Sequence, residues 1–170
     1  PKLDEALEQL TRSELIFRRG IIPQAVYSFK HALVRDAAYE GLLRSRRAQL
    51  HAALAHAFEQ KFPEVVEEQP ETVAHHLTEA GLTEQAVRYW LLAGTRAAQR
   101  SAHVEAIAHL QNGIDALKTL PAGPDRDRTE LDFVMAIGPC LIATEGPAGS
   151  GAMDKFARAR VLCESLGDPP

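Results

Sequence analysis

The sequence predicts a mainly α-helical protein, with a small β-hairpin part followed by antiparallel helix pairs. Apolar residues recur at helical spacing through most of the chain from residue 47 onward. Strand-like residues are confined to positions 15–31, on either side of the turn residues Gly20 and Pro23. Small residues stand at Gly94, Ala106 and Gly113, with Trp90 and Leu110 among them, where two consecutive helices can cross closely.

Leu3, Ala6, Leu7 and Leu10 share one face of an opening helix, and Leu15, Ile16 and Phe17 then form a short apolar run that suits a strand. Gly20 and Pro23 punctuate a turn, after which Tyr27, Phe29 and His31 alternate on one face of a second strand. A hairpin packed on helices has the layout of a winged helix, and we assign residues 1–46 to such a segment. Residues 47–170 read as helical repeats, with one continuous unit as the alternative.

In that second part, Leu50, Leu54, Ala57, Phe58 and Phe62 form an apolar stripe that Pro63 closes. Val73, Ala74 and Leu77 mark a short helix ended by Gly81, and Val87, Trp90, Leu91, Gly94 and Ala98 mark the next. Ser101 has the residue type of an N-cap for the helix carrying Val104, Ile107, Leu110, Ile114 and Leu117. "LPAGPDRDR" interrupts the pattern. Leu131, Val134, Ile137 and Leu141 then predict a helix broken or bent near Gly138 and Pro139. After "EGPAGSG", the last helix carries Phe156, Ala159, Leu162 and Leu166. Six or so helices with short turns imply antiparallel neighbours.

The spacing Trp90, Gly94, Ala106, Leu110, Gly113 fits the tetratricopeptide pattern: an aromatic residue, a small one four later, Ala twelve after that and a bulky apolar residue four later. Flanking pairs, roughly 47–80 and 129–166, keep the two-helix rhythm without the signature and read as degenerate repeats of an α-solenoid. An irregular helical bundle is the alternative.

At 170 residues and 45% hydrophobic content the chain can bury a real core. Its net charge of −4 is unevenly spread: residues 1–50 carry nine Lys/Arg against six Asp/Glu, and residues 51–85 carry one against seven. No basic tail argues for nucleic acid as a partner, and "ALVRDAAYEGLL", residues 32–43, is too apolar to read base edges. Cys140 and Cys163 lack the spacing of a zinc site or a disulfide framework, which fits a reducing cytoplasm. No apolar run approaches the roughly 18 residues of a membrane span, so no membrane partner is expected. Starting at Pro1 and stopping at "LGDPP", the chain reads as a piece of a larger protein.

Local catalytic signatures are missing from the sequence. It has no HExxH, GxSxG, P-loop or GxGxxG, and His75 and His76 should project about 100° apart on a helix. Glu71 and His75, at i and i+4, read as a surface pair. The expectation is a chain without catalytic activity, metal or cofactor of its own. Arg44, Arg46 and Arg47 are the densest positive cluster, able to hold a phosphate or an acidic partner helix, or simply a solvated helix start.

The blocks "FKHALVRDAAY", "RRAQLH" and "AHHLTEAGLTEQAVRYWLLAG" occur in order. Together they resemble the region after the nucleotide-binding module in bacterial signalling ATPases of the STAND class, over nearly the whole chain. Many such proteins carry an N-terminal adenylate or guanylate cyclase domain. The resemblance implies a winged-helix end plus first repeats, with ATP or ADP held by an upstream module. Lys30-His31-Ala32-Leu33-Val34-Arg35-Asp36 is similar to that family's Met-His-Asp motif, with Lys30 in place of Met and Ala32 in place of Asp. The likeness implies that His31 reaches the phosphates of ADP in the intact protein, against the plainer reading of a residue that ends the strand. The function expected is a signalling arm: a protein or peptide partner on the repeats biases the upstream nucleotide switch. The alternatives are an arm of a STAND-type transcriptional activator, or part of a nucleotide cyclase.

Overall fold

The structure, a computed structural model, describes residues 2–22, 25–147 and 149–167. Pro23, assigned above to the turn, and Ala148 of "EGPAGSG" lie outside these residues. The described chain is mainly helical, with one two-stranded antiparallel hairpin and a succession of packed helix pairs. It divides into two compact units, residues 1–47 and 48–170.

In the first unit, α1 (Lys2–Arg12) leads into β1 (Ile16–Arg19), which pairs with β2 (Val26–Phe29); Ile16 stands opposite Phe29 and Arg19 opposite Val26. α2 (Ala32–Glu40) follows. Ile16 is the one buried residue among those described in this unit. Lys30 lies over the Phe17 ring, 4.8 Å from its centre, and pairs with Glu14 at 3.5 Å. The second strand stops at Phe29, earlier than the alternation suggests. His31 therefore lies beyond the strand face and starts α2 instead, because its carbonyl accepts the first helical N–H bonds.

The helices that follow are α3 (Arg44–Lys61), α4 (Pro63–Glu68), α5 (Pro70–Glu79), α6 (Thr83–Gln99), α7 (His103–Leu117), α8 (Pro124–Glu145) and α9 (Ser150–Leu166). α5 packs on α6, α6 on α7, α7 on α8 and α8 on α9. Pro63 and Pro70 each occupy a first helical turn, where a missing N–H costs nothing. Pro63 thus ends one helix and begins another that the periodicity did not reveal.

α3 corrects the proposed stripe. Leu50, Leu54 and Phe62 are 41%, 46% and 45% exposed, whereas His51 and Ala55 are buried and Phe58 packs partly against the core. The inward face is rotated by one residue because an imidazole, not a leucine, fills the contact with α5. On α7, Val104 is likewise exposed, and the buried face runs through Ala106, Leu110, Gly113, Ile114 and Leu117.

Ser101 does not cap α7. It follows the end of α6 with φ +60°, its N–H bonded to the Ala98 carbonyl and the Ala102 N–H bonded to the Ala97 carbonyl. Gly81, φ +75°, ends α5 in the same way, with Gly81 bonded to Thr78 and Leu82 to Leu77. This paired ending satisfies carbonyls that a helix end leaves open. Its left-handed residue, which glycine accepts most readily, hides the helix stop at Ser101 from a sequence reading.

α8 continues through Pro139 without a break. The exposed proline forfeits one backbone bond, but Ile137, Gly138, Cys140 and Leu141 around it are all buried and hold both halves in place. Gly138, read above as a breaking point, is a packing site instead. Among the described residues no helix is long and apolar enough to cross a membrane.

Candidate functional site

The five residues of the spacing signature meet across the α6–α7 contact. Trp90 is 7% exposed; its indole N–H donates to the Thr78 hydroxyl at 3.0 Å and its ring stacks on His109. A Cβ on Gly94 would overlap Cγ of Leu110, and the Ala106 carbonyl would stand 3.3 Å away. A Cβ on Gly113 would overlap the Phe133 ring of α8 and come within 3.0 Å of Trp90 Cβ. The arrangement then recurs: a Cβ on Gly138 of α8 would lie 3.0 Å from the Phe156 ring of α9. Each of α6, α7 and α8 thus carries a glycine socket, filled by a bulky side chain from the next helix.

The basic cluster is not a single patch of equivalent guanidiniums. Arg47 lies over the Tyr39 ring, 4.9 Å from its centre, while Arg44 and Arg46 are exposed. No acidic residue stands in that first helical turn. A cationic start opposes the helix dipole, so nothing in local helix energetics favours these residues there. His31 is exposed, with extended backbone (φ −131°, ψ 130°) and no side-chain bond to the helix start. Its carbonyl accepts the N–H groups of Val34 and Arg35, at 3.1 and 3.3 Å. Arg35 pairs with its neighbour Asp36 at 2.7 Å.

A cluster that sequence reasoning missed joins α3 to α5. Nδ1 of His51 lies 2.8 Å from Nδ1 of His76, and His51 is 91% buried, given its 9% exposure. The His75 ring stands 6.0 Å from that of His51 and 5.5 Å from that of His76. His75 and His76 therefore both approach His51 despite their separation around the helix. Phe58 stacks on His76 with nearly parallel rings. Burial, followed by the neighbouring His51 and His75, pushes the His76 pKa down, against an opposing pull from Glu79. No group of three His, Cys, Asp or Glu among the described residues is arranged to hold a metal ion. His51 and His76 are 25 residues apart, and no short-range pattern reports such a pair.

Two surface grooves lie beside α6. One, of about 540 Å³, is polar and lined by Glu67, Glu68, Gln69, Arg96, Gln99 and Arg100. Beside it the Tyr89 hydroxyl donates to Glu59 at 2.8 Å. Burial and that carboxylate push the Tyr89 pKa up to about 12. The other, of about 530 Å³, has an apolar floor including Val87, Leu117 and Leu120, with Glu84, Arg88, Asp125 and Arg126 at its rim. Both offer charges of either sign, and the second adds apolar area.

No family model matches the chain, and no solved structure matches it. The chain is similar to the uncharacterised protein R02095 of Rhizobium meliloti (strain 1021), at 29% identity over 144 residues. The match covers 85% of this chain but 14% of that protein. The chain thus spans about one seventh of the relative's length.

Proposed function

We propose that this chain is a non-catalytic regulatory arm of a larger cytoplasmic signalling ATPase of the STAND type, in which an upstream module holds ATP or ADP. On this reading residues 1–46 form a winged-helix-like segment and residues 47–170 a tetratricopeptide-like solenoid. A protein or peptide partner lies on the helix array and biases the upstream nucleotide switch. A cyclase domain is the effector that the sequence resemblance favours.

The observation that carries the reading is the succession of glycine sockets, Gly94–Leu110, Gly113–Phe133 and Gly138–Phe156. A helix array built by repeating one contact supports an extended binding surface. The grooves beside α6, both of mixed charge and one with an apolar floor, suit a peptide better than a reacting small molecule. The length of the similar Rhizobium meliloti protein leaves room for further modules in a protein of this kind.

His31 supplies the test. In the longer protein bearing the upstream module, His31→Ala should weaken ADP by about 1.5–3 kcal/mol, the worth of one charge-assisted hydrogen bond, and raise basal activity. The 170-residue chain alone should bind no ADP and turn over no ATP or GTP. Unchanged ADP affinity and basal activity in His31→Ala would reduce His31 to an exposed residue that starts α2 through its backbone. Turnover by the chain alone, lost on substituting one of its residues, would overturn the regulatory reading.

A further inference from the structure

The contact between α3 and α5 contains a titratable pair where a helix junction ordinarily has aliphatic side chains. With Nδ1 facing Nδ1 at 2.8 Å, one imidazole must donate its N–H and the other must accept. We propose that the His51–His76 pair is an acid-sensitive latch between α3 and α5, closed while at least one imidazole is neutral and opened when both are protonated.

The proton count sets the behaviour. A neutral pair has one N–H facing one lone pair. Adding one proton leaves an N–H···N bond with a positive charge on the pair. Adding a second places two N–H groups against each other with no acceptor between them, and the rings must separate. The surroundings work against holding that charge. His51 is buried, and the Phe58 ring covers one face of His76. The titratable groups that bear on His76 are His51 from α3, and His75 and Glu79 from α5 itself; among the described residues α4 and α6 add none. His75 is a further potential cation, and of the described groups acting on His76 it is the Glu79 carboxylate that favours protonation. Glu59, also on α3, is turned to Tyr89 and His56.

The lowered His76 pKa agrees in sign. A base with a depressed folded-state pKa binds fewer protons folded than unfolded, so its contribution is fully present above the ordinary histidine value of about 6.5 and falls away as the pH drops below it. α3 is the element released, since α5 packs along α6 and is bonded to it through Thr78 and Trp90, whereas α3 has no comparable helix packing and is tied to α6 by the Tyr89–Glu59 bond.

Hydrogen exchange on the 170-residue chain, corrected for intrinsic amide rates, tests the latch. Between pH 7.5 and 5.0, protection of residues 51–61 should fall by roughly tenfold or more, while α8 and α9 keep theirs. His51→Asn keeps a donor and an acceptor near the Nδ1 position and cannot become a second cation, so it should flatten that pH response. Should this variant fail to fold, ¹⁵N imidazole NMR of the unaltered chain decides: His51 and His76 should titrate as a coupled pair, with the α3 resonances moving in step. Protection of α3 that is independent of pH, an unchanged response in folded His51→Asn, or two independent single-site titrations would overturn the proposal.

Discussion

Phe133 occupies the space that a side chain on Gly113 would need: a Cβ there would overlap Cε1 and Cζ of the ring. Phe133 is fully buried, so it cannot swing away into solvent. Gly113→Ala gains helix propensity, about 1 kcal/mol, but forces overpacking worth about 1–3 kcal/mol. A net loss of up to about 2 kcal/mol is expected in urea unfolding. Adding Phe133→Leu, which shortens the knob, should return part of it; a Gly113→Ala variant more stable than the parent would contradict the socket.

Trp90 gives a larger effect with two separable parts. Trp90→Ala should cost about 3–5 kcal/mol, the range for large buried aromatics. Trp90→Phe keeps most of the ring area but removes the donor to Thr78. A double-mutant cycle of Trp90→Phe with Thr78→Val should give a coupling of about 1 kcal/mol. Loss below about 1 kcal/mol in Trp90→Ala would remove support for the repeat register.

The two matching helix ends predict changes of opposite sign. Ser101 holds φ +60° where a glycine is favoured, so Ser101→Gly should stabilise by about 0.5–1 kcal/mol. Gly81→Ala, at φ +75° with open space around the added Cβ, should lose about 1 kcal/mol through backbone strain alone. Thermal or urea melts of the pair decide between strain and packing.

Tyr89 predicts an alkaline window. Its folded-state pKa, raised to about 12, exceeds the ordinary value of 10.0, so the bond to Glu59 contributes fully below about pH 10 and is lost as the pH rises towards 12. Absorbance of ionised tyrosine should show a late step near pH 12 in the folded chain. Tyr89→Phe should delete that step.

Helix stops and faces were readable where one residue type forces one outcome. Pro63 could only end or begin a helix, Gly81 marked a left-handed turn, and Val134, Ile137 and Leu141 had no polar competitor for the interior. α3 failed for the opposite reason: Leu50 and Leu54 are more apolar than His51, and only the opposing His76, supplied 25 residues later, makes the imidazole the better inward residue. Gly138 next to Pro139 resembled a break because both weaken an isolated helix, yet the Phe156 ring that uses the gap lies on another helix. His31 and the arginines remain local features of the chain, since their chemistry needs a partner.

Because each helix from α5 to α9 rests mainly on its neighbours in sequence, a pull on one end would load these contacts one after another from that end. Under a pull on the C-terminal end, α9 would peel first, with Phe156 leaving the Gly138 socket and the Arg158–Glu130 clip breaking at its two bonds of 2.7 and 2.8 Å. The next contact would then bear the load. Such an array behaves as a graded spring, yielding length in helix-sized steps instead of rupturing at once.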